Sequence, residues 1–331
     1  MRKKIIAYLS SLLIIVLSTA SLFTFTACSS RDENTLRINQ VTNSVFYAPF
    51  YVAMFGGFFE EVGLTIELTT GEGADASMMA VITGDADIAL AGAESAMYVY
   101  LEGRRDHPVV FAQLTVRDGS FLVGRNPIAN FEWNMLANSH IIAGRTGGLP
   151  AMTLQYLLNN HGLTHGQNMN FDTSIAFAQM ASAFIAGEGD FVTLFEPVAS
   201  TLVAQGHGHI IASVGYGAGY VPFTSFMATQ SFVRNNTDQL QRFVDALSLA
   251  TAYVYANTAE HIAALIAPQF PGANVAMLSA AIQNYKDIGT WVENLKMTPD
   301  MFNRLQNVIE NAGFLSRRVP FETLVDNRFI A

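Results

Sequence analysis

The 331-residue chain has one cysteine, Cys28, which excludes an internal disulfide framework and a thiolate metal cluster. Charge is scarce as well. Only 14% of residues are charged, and 27 acidic residues outweigh 18 Lys and Arg for a net charge of −9. A chain so poor in basic residues has no surface for phosphate backbones, so nucleic acid is not an expected partner. Seven histidines (His107, His140, His161, His165, His207, His209, His261) include no HExxH pair. His207-Gly208-His209 has ligand-like chemistry but lies in a Gly-rich stretch without neighbouring carboxylates, and reads as a turn. No catalytic constellation or cofactor motif stands out, so neither an enzyme nor a cofactor is expected. Beyond residue 27 no apolar run approaches the roughly 18 residues of a membrane span.

What is present begins at the N-terminus. Arg2, Lys3 and Lys4 precede an uncharged stretch from Ile5 to Ala27 rich in Ile, Leu and Val. A basic start, an apolar run and a small residue before a cut describe an export signal. Phe25-Thr26-Ala27-Cys28 resembles a lipobox, with Phe25 where Leu is usual, which predicts cleavage after Ala27 and lipidation of Cys28. The alternative for the same 23 residues is an uncleaved membrane anchor. Either way the body is expected outside the cytoplasmic membrane and attached to it. Residues 28–34 read as a polar tether, and the chain after Ala27, tether included, carries a net charge of −12 because all basic residues but three follow Ala27.

The body alternates strand and helix signals. Leu36–Val41, Leu64–Leu68, Ile88–Ala91 and Val109–Val116 read as strands; Pro49–Phe59, Ala74–Ile82 and Ala93–Leu101 read as helices. The pattern restarts with Ile141–Ala143, a helix over Ala151–Asn159, Phe171-Asp172, a helix over Ala178–Ile185 and a strand over Phe191–Leu194. Long helices follow, over Ser231–Thr258, Val275–Tyr285 and Pro299–Ala312. This predicts an α/β protein of two lobes with mostly parallel sheets and a helical C-terminal segment. Residues 35–117 with 228–331 are expected to form one lobe and 121–222 the other, with crossings near Gly119–Val123 and Phe223–Ala228.

Four motifs occur in order: Phe50-Tyr51-Val52-Ala53, then Gly57-Phe58-Phe59-Glu60-Glu61-Val62-Gly63-Leu64, then Gly84-Asp85-Ala86-Asp87 with Ile88-Ala89, then Gly187-Glu188-Gly189-Asp190 before Phe195-Glu196-Pro197. Together they resemble the SsuA/THI5-like (NMT1-like) group of substrate-binding proteins of ABC importers. Phe195 stands where that group has Trp. The resemblance spans residues 36 to about 230. It implies a two-lobed periplasmic-binding-protein-like fold of type II with two crossing strands, and a monomer that delivers a small solute to permease and ATPase subunits.

Ligands of open α/β sheets bind beyond the carboxyl ends of strands. Asn43, Phe46, Tyr47 and Tyr51 follow the first strand, and their rings suit a planar ligand, although packing explains about half of such aromatics. After the third strand, Ser95 and nearby amides can donate at a helix start, while Glu94 reads equally as a favourable first-turn charge. Gly147 and Gly148 let a ligand approach the backbone before Pro150 opens a helix, or simply form a turn. Glu196 is expected to accept from an amino group, or to serve as an ion-pair partner facing the hinge. Arg117, Arg125 and Arg145 are the cations available to an anion, although Arg125 and Arg145 read equally as ordinary surface charges. The expected function is therefore capture of a planar nitrogen-containing solute, such as a thiamine pyrimidine precursor. The alternatives are a sulfonate, taurine or nitrate solute, a THI5-like pyrimidine-synthesis enzyme, and a sensor that does not transport.

Overall fold

A computed structural model describes residues 34–330. The signal, Cys28 and nearly all of the tether lie outside the described residues.

Two five-stranded sheets organise the chain. The first holds β1 (Thr35–Gln40), β2 (Thr65–Thr70), β3 (Ile88–Gly92), β4 (Pro108–Gln113) and a late strand, with order β2-β1-β3-β10-β4. The second holds β5 (Ser120–Gly124), β6 (His140–Ile142), β7 (Asn170–Asp172), β8 (Phe191–Phe195) and β9 (His209–Ser213), with order β7-β6-β8-β5-β9. The late strand of the first sheet is β10 (Thr224–Thr229), which pairs antiparallel with β3 and β4. In the second sheet β5 is the antiparallel strand, between β8 and β9. Each sheet thus receives, in its interior, the strand by which the chain enters or re-enters it. Ile88–Ala91 is apolar at every position because β3 is covered on both faces, whereas edge strand β2 alternates between exposed and half-buried positions.

Two chain segments link the sheets, and they bond to each other. Phe223 N–H donates to Thr115 O at 3.1 Å and Val221 N–H to Val116 O at 2.9 Å. The C-terminal segment lays a third piece alongside: Val116 N–H donates to Thr290 O and Val292 N–H to Leu114 O. The stretches expected to be crossings, Gly119–Val123 and Phe223–Ala228, fall largely within β5 and β10, and the links lie just before them.

Two expected helices are divided. Pro49–Phe59 becomes Ala48–Phe55 and Phe58–Glu61, because Gly57 takes φ +81°, a left-handed conformation that interrupts a helix. Ser231–Thr258 becomes Gln230–Asn235 and Thr237–Ala256, broken at Asn236, whose side chain turns back to donate to Phe232 O. Helix Thr237–Ala256 packs on Ala48–Phe55, and Phe59 stacks on Phe243 at 5.0 Å between ring centres. Helix Pro299–Asn311, capped by Thr298 Oγ1, reaches across to helix Leu149–Asn160.

Candidate functional site

The loop after β1 places aromatic rings where the two sheets meet. Ser44 caps the short 3-10 turn Val45–Tyr47 by accepting from Phe46 N–H, and its hydroxyl donates to Glu196 O at 3.0 Å beyond β8. This pins Phe46 against residues of the second sheet and the links. Its ring meets Phe195 at 5.3 Å and 76°, Phe223 at 5.7 Å and 84°, and Tyr285 at 5.4 Å. Phe195 in turn meets Phe177 at 5.8 Å, and Phe177 is exposed. Phe46 and Phe223 are themselves buried, 2% and 6% exposed, so Phe177 is the most exposed ring of this wall. Gly119 lies between Phe46 and Phe195, where a methyl would overlap both rings, so the close approach of the two sheets requires glycine there.

A buried carboxyl lies beside this aromatic wall. Glu94 opens the helix Glu94–Leu101 directly after β3; it is 4% exposed, and its Oε2 has no hydrogen-bond partner. Burial pushes its carboxyl up to about 7; its own amide and Arg145 oppose the rise and Asp75 adds to it. The carboxylate folds over Gly92, where a methyl would overlap both its oxygens. Tyr47 lies next to it, 4% exposed, its hydroxyl bonded to the Thr224 side chain; burial, with the Glu94 charge, holds that phenol well above its ordinary value. Tyr98 is similarly raised, first by burial and then by Glu94 and Asp75. From the opposite side, Met152 Sδ accepts from the Tyr98 hydroxyl at 3.8 Å, and Arg145 Nη1 donates to Asp75 Oδ2 at 2.9 Å. Segment 145–152 of the second sheet thereby closes over the ends of the first-sheet helices.

The other expected site residues have partners within the protein. Tyr51 is fully buried, and its hydroxyl donates to Gln40 Oε1 at 2.7 Å and contacts Asn43 Oδ1 at 3.1 Å, so it packs as core. Asn43 exchanges hydrogen bonds with Gln269 at 2.9 and 3.0 Å. Ser95 Oγ donates to Gly92 O at the start of its helix. Arg117 lies over the Tyr220 ring at 4.2 Å and donates to Gly215 O, outside the aromatic wall. Gly147 has φ +73° and faces Phe314, while Gly148 N–H donates to Arg145 O; the pair forms the turn that presents Arg145.

Glu196 is 1% exposed, yet its oxygens accept from Ser200 N–H at 3.0 Å, Ser200 Oγ at 2.7 Å and Asn284 Nδ2 at 2.7 Å. It caps the helix Val198–Ala204 and ties β8 to the C-terminal helix Val275–Asp287, a hinge contact with a neutral amide in place of an ion pair. Arg125 satisfies Phe184, Glu188 and Gly189 carbonyls. Arg145 pairs with Asp75 from the first-sheet side and keeps a 42% exposed side chain. Phe177, Tyr98 and Thr224 were not expected at the site, because only the folding of separate sheets brings them there. Asp118, in the first link, was also missed: it is fully buried and one oxygen has no partner. Among the described residues no group of three or more His, Cys, Asp or Glu is arranged to hold a metal ion, and no helix is long and apolar enough to cross a membrane.

Comparison with known proteins places this geometry. YtlA of Bacillus subtilis (strain 168), provisionally designated a binding protein, is 35% identical over 306 residues, covering 92% of each chain. The alkanesulfonate-binding protein SsuA from Xanthomonas axonopodis pv. citri, solved bound to MOPS, superimposes with a TM-score of 0.69 at 16% identity, covering 89% of this chain and 98% of that one. The desulfurization enzyme DSZB shares the fold at a TM-score of 0.60 and 14% identity, covering 89% of this chain and 97% of that one. The fold is therefore the two-lobed α/β fold of periplasmic binding proteins. Residues 40–267 match the sequence model of the NMT1-like family, and with the YtlA relationship this establishes that the chain belongs to the NMT1-like family.

Proposed function

We propose that the protein is the solute-binding component of an ABC importer, working on the outer face of the cytoplasmic membrane and capturing a planar nitrogen-containing solute between its lobes. The observation that carries this reading is the aromatic wall of Phe46, Phe223, Phe195 and Phe177, assembled from both sheets and the second link. A wall contributed from both sides of a hinge can enclose a flat molecule when the lobes close, and closure can then signal to a permease. Residues 35–117 with 228–331 serve as one lobe and 121–222 as the other. Phe46 and Tyr47 act from the first, Phe177 and Phe195 from the second, with the Gly147-Gly148 turn carrying Arg145 to the cleft mouth. The names of YtlA and SsuA support a binding role; DSZB carries an enzyme on the same fold, so fold alone does not decide the matter.

A thiamine-pyrimidine-like solute suits the rings and the buried carboxyl. A sulfonate is the competing class, as SsuA was solved with MOPS. Native mass spectrometry of the purified protein identifies the retained solute, and calorimetry compares an aminopyrimidine with an alkanesulfonate. An aminopyrimidine bound and recovered chemically unchanged is the expected result; conversion of it would identify an enzyme, and absence of any bound solute would refute the importer reading. Attachment to the membrane rests on Cys28: wild type should incorporate a labelled fatty acid, and Cys28→Ser should not.

A further inference from the structure

The solute-binding reading leaves open how the cleft sorts solutes of similar shape, and the position of Glu94 addresses that. The carboxyl is 4% exposed, folds over Gly92, and its Oε2 has no hydrogen-bond donor. A buried polar atom without a partner is costly and uncommon unless something is meant to meet it. The charged and titratable groups facing Glu94 from neighbouring elements are Tyr47 from the turn after β1, Tyr98 from its own helix, Asp75 from helix Ala74–Thr83, and Arg145 from the turn before helix Leu149–Asn160. Arg145 is already paired with Asp75 at 2.9 Å, so the cluster has one negative charge in excess. Gly92 gives the carboxyl room to fold inward, where any larger residue would displace it.

We propose that Glu94 is the specificity-determining residue of the cleft, accepting a hydrogen bond at Oε2 from an amidine-type N–H or cationic nitrogen of a planar solute and excluding anions of the same shape. The inference rests on the solute-binding reading and adds the charge class to it.

The test uses two probes that share a ring and differ in charge, benzamidinium and benzenesulfonate, titrated calorimetrically into the purified protein. Wild type should bind benzamidinium at least about tenfold more tightly than benzenesulfonate, and Glu94→Gln should bring the two within about threefold. Only the ionised carboxyl serves a cation, so wild-type affinity for benzamidinium should fall as pH is lowered through about 7, while the Glu94→Gln profile stays flat; a merely structural residue would not move this profile. The wild-type comparison stands even if the variant folds poorly. Preference for benzenesulfonate, a pH-independent wild type, or failure of both probes while a solute copurifies overturns the inference alone. Failure of both probes with no copurifying solute overturns the solute-binding reading as well.

Discussion

Asp118 should make the folded state acid-favoured, and the effect can be isolated by one substitution. The residue sits in the first link between the sheets with no exposed surface. Its Oδ1 accepts from the Ser120 N–H and hydroxyl, both at 2.6 Å, while Oδ2 has no partner. Burial outweighs those two bonds and pushes the carboxyl from its ordinary value up to about 7. Between about pH 4 and pH 7 the native carboxyl therefore holds a proton that the unfolded chain has released. Stability must fall as pH rises through that window and level off above it. A rise of roughly three units corresponds to about 4 kcal/mol at 1.36 kcal/mol per unit. Asp118→Asn keeps an oxygen for Ser120 and carries no charge at any pH. The variant should match wild type within about 1 kcal/mol near pH 4 and exceed it by about 3–4 kcal/mol near pH 8. Urea unfolding followed by tryptophan fluorescence measures both. Glu94 contributes a fall of the same sign to both proteins, so the difference between the curves belongs to Asp118. A difference that stays constant across the range would refute the reasoning.

Other substitutions separate fold from site. Glu196→Ala leaves Ser200 N–H, Ser200 Oγ and Asn284 Nδ2 without their acceptor and should destabilise the protein by about 3 kcal/mol or more, read as a lowered melting temperature. Glu196→Gln keeps an acceptor and should melt between the two, with solute affinity little changed because the side-chain oxygens are already taken by Ser200 and Asn284. Gly92→Ala forces the Glu94 carboxyl from its place; melting should report a loss of about 1–3 kcal/mol, and calorimetry a loss of solute affinity similar to that of Glu94→Gln. Arg145→Ala removes an ion pair whose side chains are 42% and 77% exposed, so solute affinity should fall by no more than about fivefold, with the effect shrinking in high salt.

Several elements followed from local pattern alone. Ile88–Ala91 could be read as a buried strand because its run of four apolar residues ends at Gly92, and β3 occupies those positions. Thr298-Pro299 marks a helix start through its capping hydroxyl and first-turn proline, and the helix begins there. Where the reading divided from the structure, the cause was a single backbone position, as at Gly57 and Asn236, whose conformations a periodicity count does not see. The site was less legible. Phe46, Tyr47 and Tyr51 were all placed at the crevice because they follow a strand, and all three are buried, with the Tyr51 hydroxyl tied to Gln40. Glu196 and Glu94 both follow a strand closely, and sequence position favoured Glu196. Asn284, 88 residues away, satisfies Glu196, whereas no side chain reaches Glu94 Oε2.

From sequence alone came the low charge, the single cysteine, the alternation of strand and helix and the ordered motifs, because each depends on residue type and near-neighbour spacing. The tertiary structure alone decided which buried carboxyl has its oxygens satisfied within the fold and which keeps one without a partner. That depends on donors brought from distant segments: β10 re-entering between β3 and β4, and the C-terminal helices laid against the links. Whether a polar atom has a partner is a property of the folded chain, set by contacts that no local pattern encodes.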